Sequence, residues 1–82
     1  MNLEKFKHLV NQASSHLRNN NYYQLADELD KYLEGAERGE KESVDEIIKR
    51  CHIKWMGDIF IEELEFDDWI QLLEKVKKSA QE

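Results

Sequence analysis

Apolar side chains recur at steps of three and four along most of the chain, the spacing of one face of an α-helix. Residues 2–18 form the first such run, with Leu3, Phe6, Leu9, Val10, Ala13 and Leu17 on one face. Residues 22–38 form the second, with Tyr22, Leu25, Ala26, Leu29, Tyr32, Leu33 and Ala36. Both runs predict amphipathic helices that turn one face towards a shared core.

Helix ends are indicated by asparagine and glycine, because the chain contains no proline. Asn19-Asn20-Asn21 is expected to end the first helix and begin the second, since asparagine tolerates left-handed geometry and caps helices. Gly39 is expected to end the second helix. Gly35 lies inside that helix, where glycine costs about 1 kcal/mol relative to alanine. The last turn should therefore either fray or pack closely against a neighbour.

Two further helices complete the pattern. Ser43-Val44-Asp45-Glu46 has the sequence of a capping box and predicts that the third helix begins at Ser43. Its core positions are Val44, Ile47, Ile48 and Cys51. The last helix is expected to begin near Glu65–Asp68, where the acids meet the positive end of the helix dipole. Its inner face carries Trp69, Leu72, Leu73, Val76 and Ala80.

Apolar residues between positions 52 and 64 are too dense for one helical face. Gly57-Asp58 indicates a turn, and residues 59–61 are compatible with a short extended piece or a one-turn helix. The apolar density predicts that this connection is buried under the helices. The sequence thus predicts an all-α fold, a compact bundle of about four helices with one longer apolar connection, in a single domain spanning residues 1–82.

The chemistry available to the chain is limited. The only cysteine, Cys51, falls on an apolar helical face, which favours a buried, inert thiol and a reducing compartment such as the cytoplasm. His8, His16 and His52 lack the spacing of a metal site. Glycine-rich phosphate loops are absent from the sequence, and no carboxylate pair has an apolar setting. We expect no enzymatic activity, no metal and no cofactor.

The chain starts directly in an amphipathic pattern, so we expect no targeting segment. Its longest uncharged apolar stretch, residues 59–61, is too short to cross a bilayer. The net charge is −6. An acidic protein repels nucleic acid and anionic lipid and attracts basic proteins, although the charge can also serve only to keep a small protein soluble.

Two segments concentrate the acidic residues. On the second helix, Asp27, Asp30, Glu34 and Glu37 project into one wedge of roughly 80°. In residues 62–68, five of seven positions are acidic. Few cations lie near either segment in the sequence, with only Lys31 and Arg38 on the second helix. We interpret both segments as one anionic binding surface; the alternative is an ordinary solvated helix face and loop.

Aromatic residues near loops and helix ends are candidate anchors for a partner. Tyr22 and Tyr23 are adjacent and cannot both point inward, so at least one should be exposed. Trp55 and Phe66 are either exposed anchors or core residues, whereas Trp69 and Tyr32 lie on apolar stripes and belong to the core. The predicted partner-binding residues are Tyr23, Asp27, Asp30, Glu34, Trp55, Glu62, Glu63, Phe66 and Asp67.

The C-terminal half of the chain resembles small helical bacterial immunity proteins. The similarity lies in Cys51-His52-Ile53-Lys54-Trp55-Met56-Gly57-Asp58-Ile59 followed by Phe66-Asp67-Asp68-Trp69-Ile70-Gln71-Leu72-Leu73. It implies a cytoplasmic acidic inhibitor that binds one bacterial toxin domain, often a nuclease. The alternative is a small adaptor or regulatory module that docks on a larger cellular protein. The sequence leaves open whether the free protein is a monomer or a dimer.

Overall fold

A computed structural model of the protein describes residues 1–56 and 58–82. The helices in this part of the chain are α1 (Leu3–Asn19), α2 (Tyr23–Glu37), α3 (Lys41–Arg50), α4 (Ile53–Met56) and α5 (Phe66–Gln81). The second helix, α2, packs between α1 and α3, and α5 closes the bundle against both of them. The predicted all-α bundle of four long helices is confirmed, and the single turn α4 lies inside the longer connection.

One cluster of buried side chains fills the centre of the bundle and draws on all five helices. Its largest fully buried members include Phe6, Leu17, Leu29, Ile47, Met56, Trp69 and Leu73. The indole nitrogen of Trp69 donates a hydrogen bond of 3.1 Å to the carbonyl of Met56. A buried indole needs such a partner. This bond therefore fixes the start of α5 against the end of α4.

Two predicted helix ends are confirmed by left-handed residues. Asn21 has φ of 69° after α1, and Gly39 has φ of 86° after α2. In each case the amide two residues after the helix cap donates back to the helix: Tyr22 to the carbonyl of Leu17, and Glu40 to that of Gly35. These are Schellman motifs, which satisfy the last carbonyls of a helix.

The predicted start of α3 at Ser43 is wrong. The helix begins at Lys41 with Glu40 at the N-cap position, where the Glu40 side chain makes no capping hydrogen bond. Ser43 lies buried in the first turn. The cause is the close approach of α2. A methyl group added at Gly35 would lie 2.1 Å from the Ser43 hydroxyl. Of the two outcomes predicted for Gly35, close packing is therefore the one found.

The connection between α3 and α5 is only partly buried, which corrects the sequence prediction. Met56 and Ile61 are buried, whereas Trp55 and Phe60 are exposed. The single helical turn lies at Ile53–Met56 and not around residues 59–61, which lack regular structure. Of the turn predicted at Gly57-Asp58, Asp58 lies in a turn, and residue 57 lies outside the described residues.

In the described part of the chain, no helix is both long enough and apolar enough to cross a membrane.

Candidate functional site

The net charge of the protein resides in one short stretch, residues 58–68, which we call the acidic segment. It contains six of the eighteen acidic residues and none of the twelve lysines and arginines. The rest of the chain is therefore formally neutral. This segment joins α4 to the first turn of α5, so the charge is concentrated at one place on the fold.

The acidic segment is fastened to the end of α1, although most of it lacks regular structure. The side chain of Asn20 makes the central contacts: its Oδ1 accepts a 2.9 Å bond from the amide of Glu62, and its Nδ2 donates a 2.8 Å bond to Oε1 of Glu63. The other oxygen of that carboxylate lies 2.8 Å from Nδ1 of His16. His16 in turn packs edge-on against the Trp69 ring. The segment is thus held in one conformation.

Glu63 serves this attachment and is not free for a partner. Hydrogen bonds from His16, and then from Asn20, lower the pKa of the Glu63 carboxyl to about 2. Each bond favours the charged form, so the carboxylate stays ionised well below its ordinary range. Glu63 was predicted from the sequence to bind a partner, whereas its two carboxylate oxygens bond to His16 and Asn20 at the end of α1.

Two phenylalanines of the acidic segment face solvent. Phe60 is 71% exposed and Phe66 is 56% exposed. Both line a groove of about 260 Å³ between the segment and the start of α5, together with Ile59, Ile61, Leu64, Glu65 and Trp69. Exposed aromatic rings around a groove are typical of surfaces that bind another molecule.

Sequence reasoning missed Phe60. The available signal was the apolar density of residues 52–64, which exceeds what one buried face can hold. That signal showed that some apolar side chain had to point outward, but it did not show which one.

The other acids of the segment lack neutralising partners, and Glu65 among them lines the groove. Asp58, Glu62, Glu65, Asp67 and Asp68 are all exposed. Among the side chains that the structure describes, none of the five forms an ion pair. They therefore remain available to a cationic partner.

Three of the four acids in the predicted α2 wedge are neutralised, contrary to the expectation from local sequence. Among the side chains that the structure describes, Glu34 has no cationic partner. Asp27 and Asp30 both pair with the guanidinium of Arg18 on α1, at 2.8 and 2.5 Å. These contacts, led by Asp30, raise the pKa of Arg18. Asp30 also accepts a bond from Ser14, and Glu37 pairs with Lys7 at 3.5 Å. The cations come from the neighbouring helix, which a count along α2 could not reveal.

Trp55 belongs to a different part of the surface. It is 49% exposed, and its ring lies 5.5 Å from the guanidinium carbon of Arg50. That guanidinium also stacks on Tyr32 and pairs with Glu28 and Glu46. By helical geometry, Glu28 and Tyr32 lie about 150° around α2 from its paired aspartates. Trp55 is therefore separated from the α2 acids by the helix itself.

Tyr23 is exposed, as predicted for one member of the tyrosine pair. Its side chain is 55% exposed and its hydroxyl donates a 2.9 Å bond to Asn21, whereas Tyr22 is half-buried against the core. This places Tyr23 beside the turn that holds the acidic segment.

The predicted binding residues do not form one continuous surface. Glu62, Phe66 and Asp67 share the acidic segment. Tyr23, Asp27, Asp30 and Glu34 lie along α2, and Trp55 lies over Arg50. The end of α1 separates the first two groups. Arg18 contacts the α2 acids, whereas Glu63 is contacted by His16, which lies about 160° away around α1. Exposed acids without an ion pair also occur elsewhere among the described residues, as at Glu34, but they are concentrated in the acidic segment.

Cys51 is buried, as the sequence predicted. Burial raises the pKa of its thiol to about 12, so the sulfur stays protonated and unreactive at neutral pH. Within residues 1–56 and 58–82, no group of three or more histidine, cysteine, aspartate or glutamate side chains is arranged to hold a metal ion.

Comparison of the chain with protein-family models, with curated proteins and with solved structures gave no match.

Proposed function

We propose that this protein is a binding inhibitor that occludes a basic surface of another protein, in the manner of the bacterial immunity proteins that its sequence resembles. The partner would be a cognate toxin domain, such as a nuclease. The observation that supports this proposal is the acidic segment, an exposed stretch that carries the whole net charge together with two exposed phenylalanines. In this proposal the protein acts in the cytoplasm without enzymatic activity or cofactor.

Charge complementarity supports a basic partner. A nuclease binds phosphates through a cationic cleft, and five unpaired carboxylates on one short segment attract such a surface. Steering of this kind raises the association rate, which suits an inhibitor that must capture its target quickly. The two phenylalanines supply the apolar contact that slows dissociation.

Preorganisation also supports a binding role. Association is weakened when a flexible loop must be ordered on binding. The bonds from Asn20 and His16 order the acidic segment in the free protein. A partner therefore meets a surface whose backbone is already fixed.

A second candidate function is a small adaptor that docks on a larger cellular protein. The position of Trp55 favours it, because this exposed ring is separated from the acidic segment. An adaptor that bridges two proteins needs two such surfaces, whereas an inhibitor needs only one.

Co-expression with the product of the neighbouring gene tests the proposal. An immunity protein should co-purify with that product and suppress its toxicity to the host cell. Replacing Phe66 by alanine should weaken both effects, while the same change at Trp55 should leave them intact. Failure of the wild-type protein to suppress toxicity would exclude the immunity function. If a Trp55 variant lost binding to one protein and a Phe66 variant lost binding to a different protein, the adaptor function would be favoured.

A further inference from the structure

We infer that the groove beside Phe60 and Phe66 binds a cationic amphipathic helix of the partner, with one large apolar side chain of that helix inserted between the two rings. This inference rests on the proposed function in that it uses the same acidic segment, and it names what that segment recognises.

The size of the groove favours a single side chain. Its volume of about 260 Å³ lies below the roughly 300–1,000 Å³ typical of small-molecule sites. Its lining is apolar except for Glu65, and its other members are Ile59, Phe60, Ile61, Leu64, Phe66 and Trp69. Such a pocket accepts one leucine- or phenylalanine-sized anchor and leaves the rest of the ligand on the surface.

The charge around the groove selects the ligand. Glu65 lines the groove, and the exposed acids Glu62, Asp67 and Asp68 lie within three residues of it in sequence. Nucleic acid and anionic lipid are repelled by this charge. A second copy of the chain, docking by the same face, would bring two acidic segments together and is disfavoured for the same reason. A positively charged protein segment remains the complementary ligand.

The combination of an apolar groove and several exposed acids close to it in sequence favours a helix with one apolar and one basic face. A helix presents anchors at positions i, i+3, i+4 and i+7 along one stripe, and its flanking lysines or arginines reach outward on both sides. Those lysines or arginines would meet Glu65 and the other carboxylates of the acidic segment while the anchor enters the groove.

The test uses nuclear magnetic resonance with the isotope-labelled full-length protein. The probe is a Leu/Lys amphipathic peptide of about five helical turns. The controls are a scrambled peptide of the same composition and an oligolysine of the same charge. We expect saturable one-to-one binding of the amphipathic peptide, with chemical-shift changes confined to the acidic segment and the first turn of α5. The scrambled peptide and the oligolysine should bind at least about tenfold more weakly.

Two variants probe the groove without threatening the fold, because both side chains are exposed. Phe60→Ala and Phe66→Ala should each weaken peptide binding about tenfold, whereas Tyr23→Ala, another exposed aromatic, should leave binding unchanged. Circular dichroism should be the same for all three. The inference would be overturned if all three peptides bound equally well, or if the chemical-shift changes lay outside the acidic segment and the first turn of α5. It would also be overturned if neither Phe60→Ala nor Phe66→Ala weakened peptide binding. Shifts at the groove with zwitterionic vesicles but not with the peptide would overturn it as well.

The outcome is separable from that of the inhibitor proposal. If the peptide binds at the groove but the protein does not suppress toxicity, the immunity function is excluded and the inference about the groove is supported. If instead no peptide binds, and both Phe60→Ala and Phe66→Ala still suppress toxicity, the inference is wrong. The protein would then be an inhibitor that works through another surface.

Discussion

Asn20 Nδ2 lies 2.8 Å from Oε1 of Glu63, a residue 43 positions further along the chain. The same amide group donates to the carbonyl of His16, and Oδ1 of Asn20 accepts from the amide of Glu62. One side chain at the end of α1 therefore determines the conformation of the acidic segment that leads into α5.

Replacing Asn20 by alanine should loosen the acidic segment. The change removes three hydrogen bonds that are partly exposed, so we expect a loss of about 1 kcal/mol in the free energy of unfolding, measured by urea denaturation. The amide of Glu62 should exchange with solvent faster, since it loses its acceptor. Asn11→Ala, on the exposed surface of the same helix, should change stability by less than about 0.5 kcal/mol. Unchanged exchange at Glu62 would show that Asn20 does not hold the segment.

Stability should depend on the ionisation of Glu63 in acid. Its pKa in the folded state is about 2, below its value of about 4.3 in an unfolded chain. The contribution of this carboxylate to stability is therefore complete above about pH 4.3 and is lost as the pH falls towards 2.

A glutamine at position 63 tests this dependence by urea denaturation at a series of pH values. Glu63→Gln should flatten the fall in stability between about pH 4.3 and 2. Glu62→Gln, at the neighbouring exposed position, should retain the wild-type profile. If Glu63→Gln and the wild-type protein lose stability in parallel over this range, the bonds to His16 and Asn20 do not stabilise the ionised carboxyl.

Gly35 should not tolerate a side chain, although alanine is the better helix former. Propensity alone predicts a gain of about 1 kcal/mol for Gly35→Ala. The added methyl group would lie 2.1 Å from the Ser43 hydroxyl and 2.8 Å from its Cβ. We therefore expect a net loss of about 1–3 kcal/mol from forced separation of α2 and α3, measured by thermal or urea unfolding.

The double variant Gly35→Ala/Ser43→Gly provides the control, because it removes the two atoms of Ser43 that the methyl group would meet. It should recover part of the loss caused by Gly35→Ala. Gly35→Ala with wild-type or higher stability would contradict the close contact between these helices.

Cys51 should react slowly with a thiol reagent in the native protein and rapidly after denaturation. Burial disfavours the thiolate and raises the pKa of the thiol to about 12, and only the thiolate reacts. The measurement is the rate of release of a chromophoric thiol at pH 8, with and without urea. Equal rates in the two states would mean that the sulfur is accessible in the fold.

The sequence predicted most of the fold because helix periodicity and helix-ending residues are local signals. The bounds of α1 and α2 fall within one residue of those predicted, and Asn21 and Gly39 end them as expected. The start of α3 was mispredicted because Ser43 and Glu46 match a capping box in sequence. Close packing against Gly35 instead requires a small buried residue at position 43.

The candidate site was predicted less completely, since pairing across the fold is not a local property. The sequence identified both acidic segments but could not show that Arg18 neutralises Asp27 and Asp30. It included Glu63 as a binding acid and missed Phe60, because attachment to Asn20 and exposure to solvent are decided by how the connection folds.

The acidic segment is proposed to bind a basic protein. Binding kinetics with the product of the neighbouring gene, measured at different salt concentrations, decide whether it does. Raising the ionic strength from 0.01 to 0.15 M shortens the Debye length from about 30 to about 8 Å and should slow association. The double variant Glu62→Lys/Asp67→Lys should slow association at low salt, and Phe66→Ala should speed dissociation, costing on the order of 2 kcal/mol of affinity.

The matched control is Asp27→Lys, because Asp27 is already paired with Arg18 on the α2 side of the molecule. Asp27→Lys should slow association far less than Glu62→Lys/Asp67→Lys does. If association is independent of salt, and both Glu62→Lys/Asp67→Lys and Phe66→Ala keep full affinity, the acidic segment is not the binding site. The basic N-terminal part of α1 would then be the surface to test.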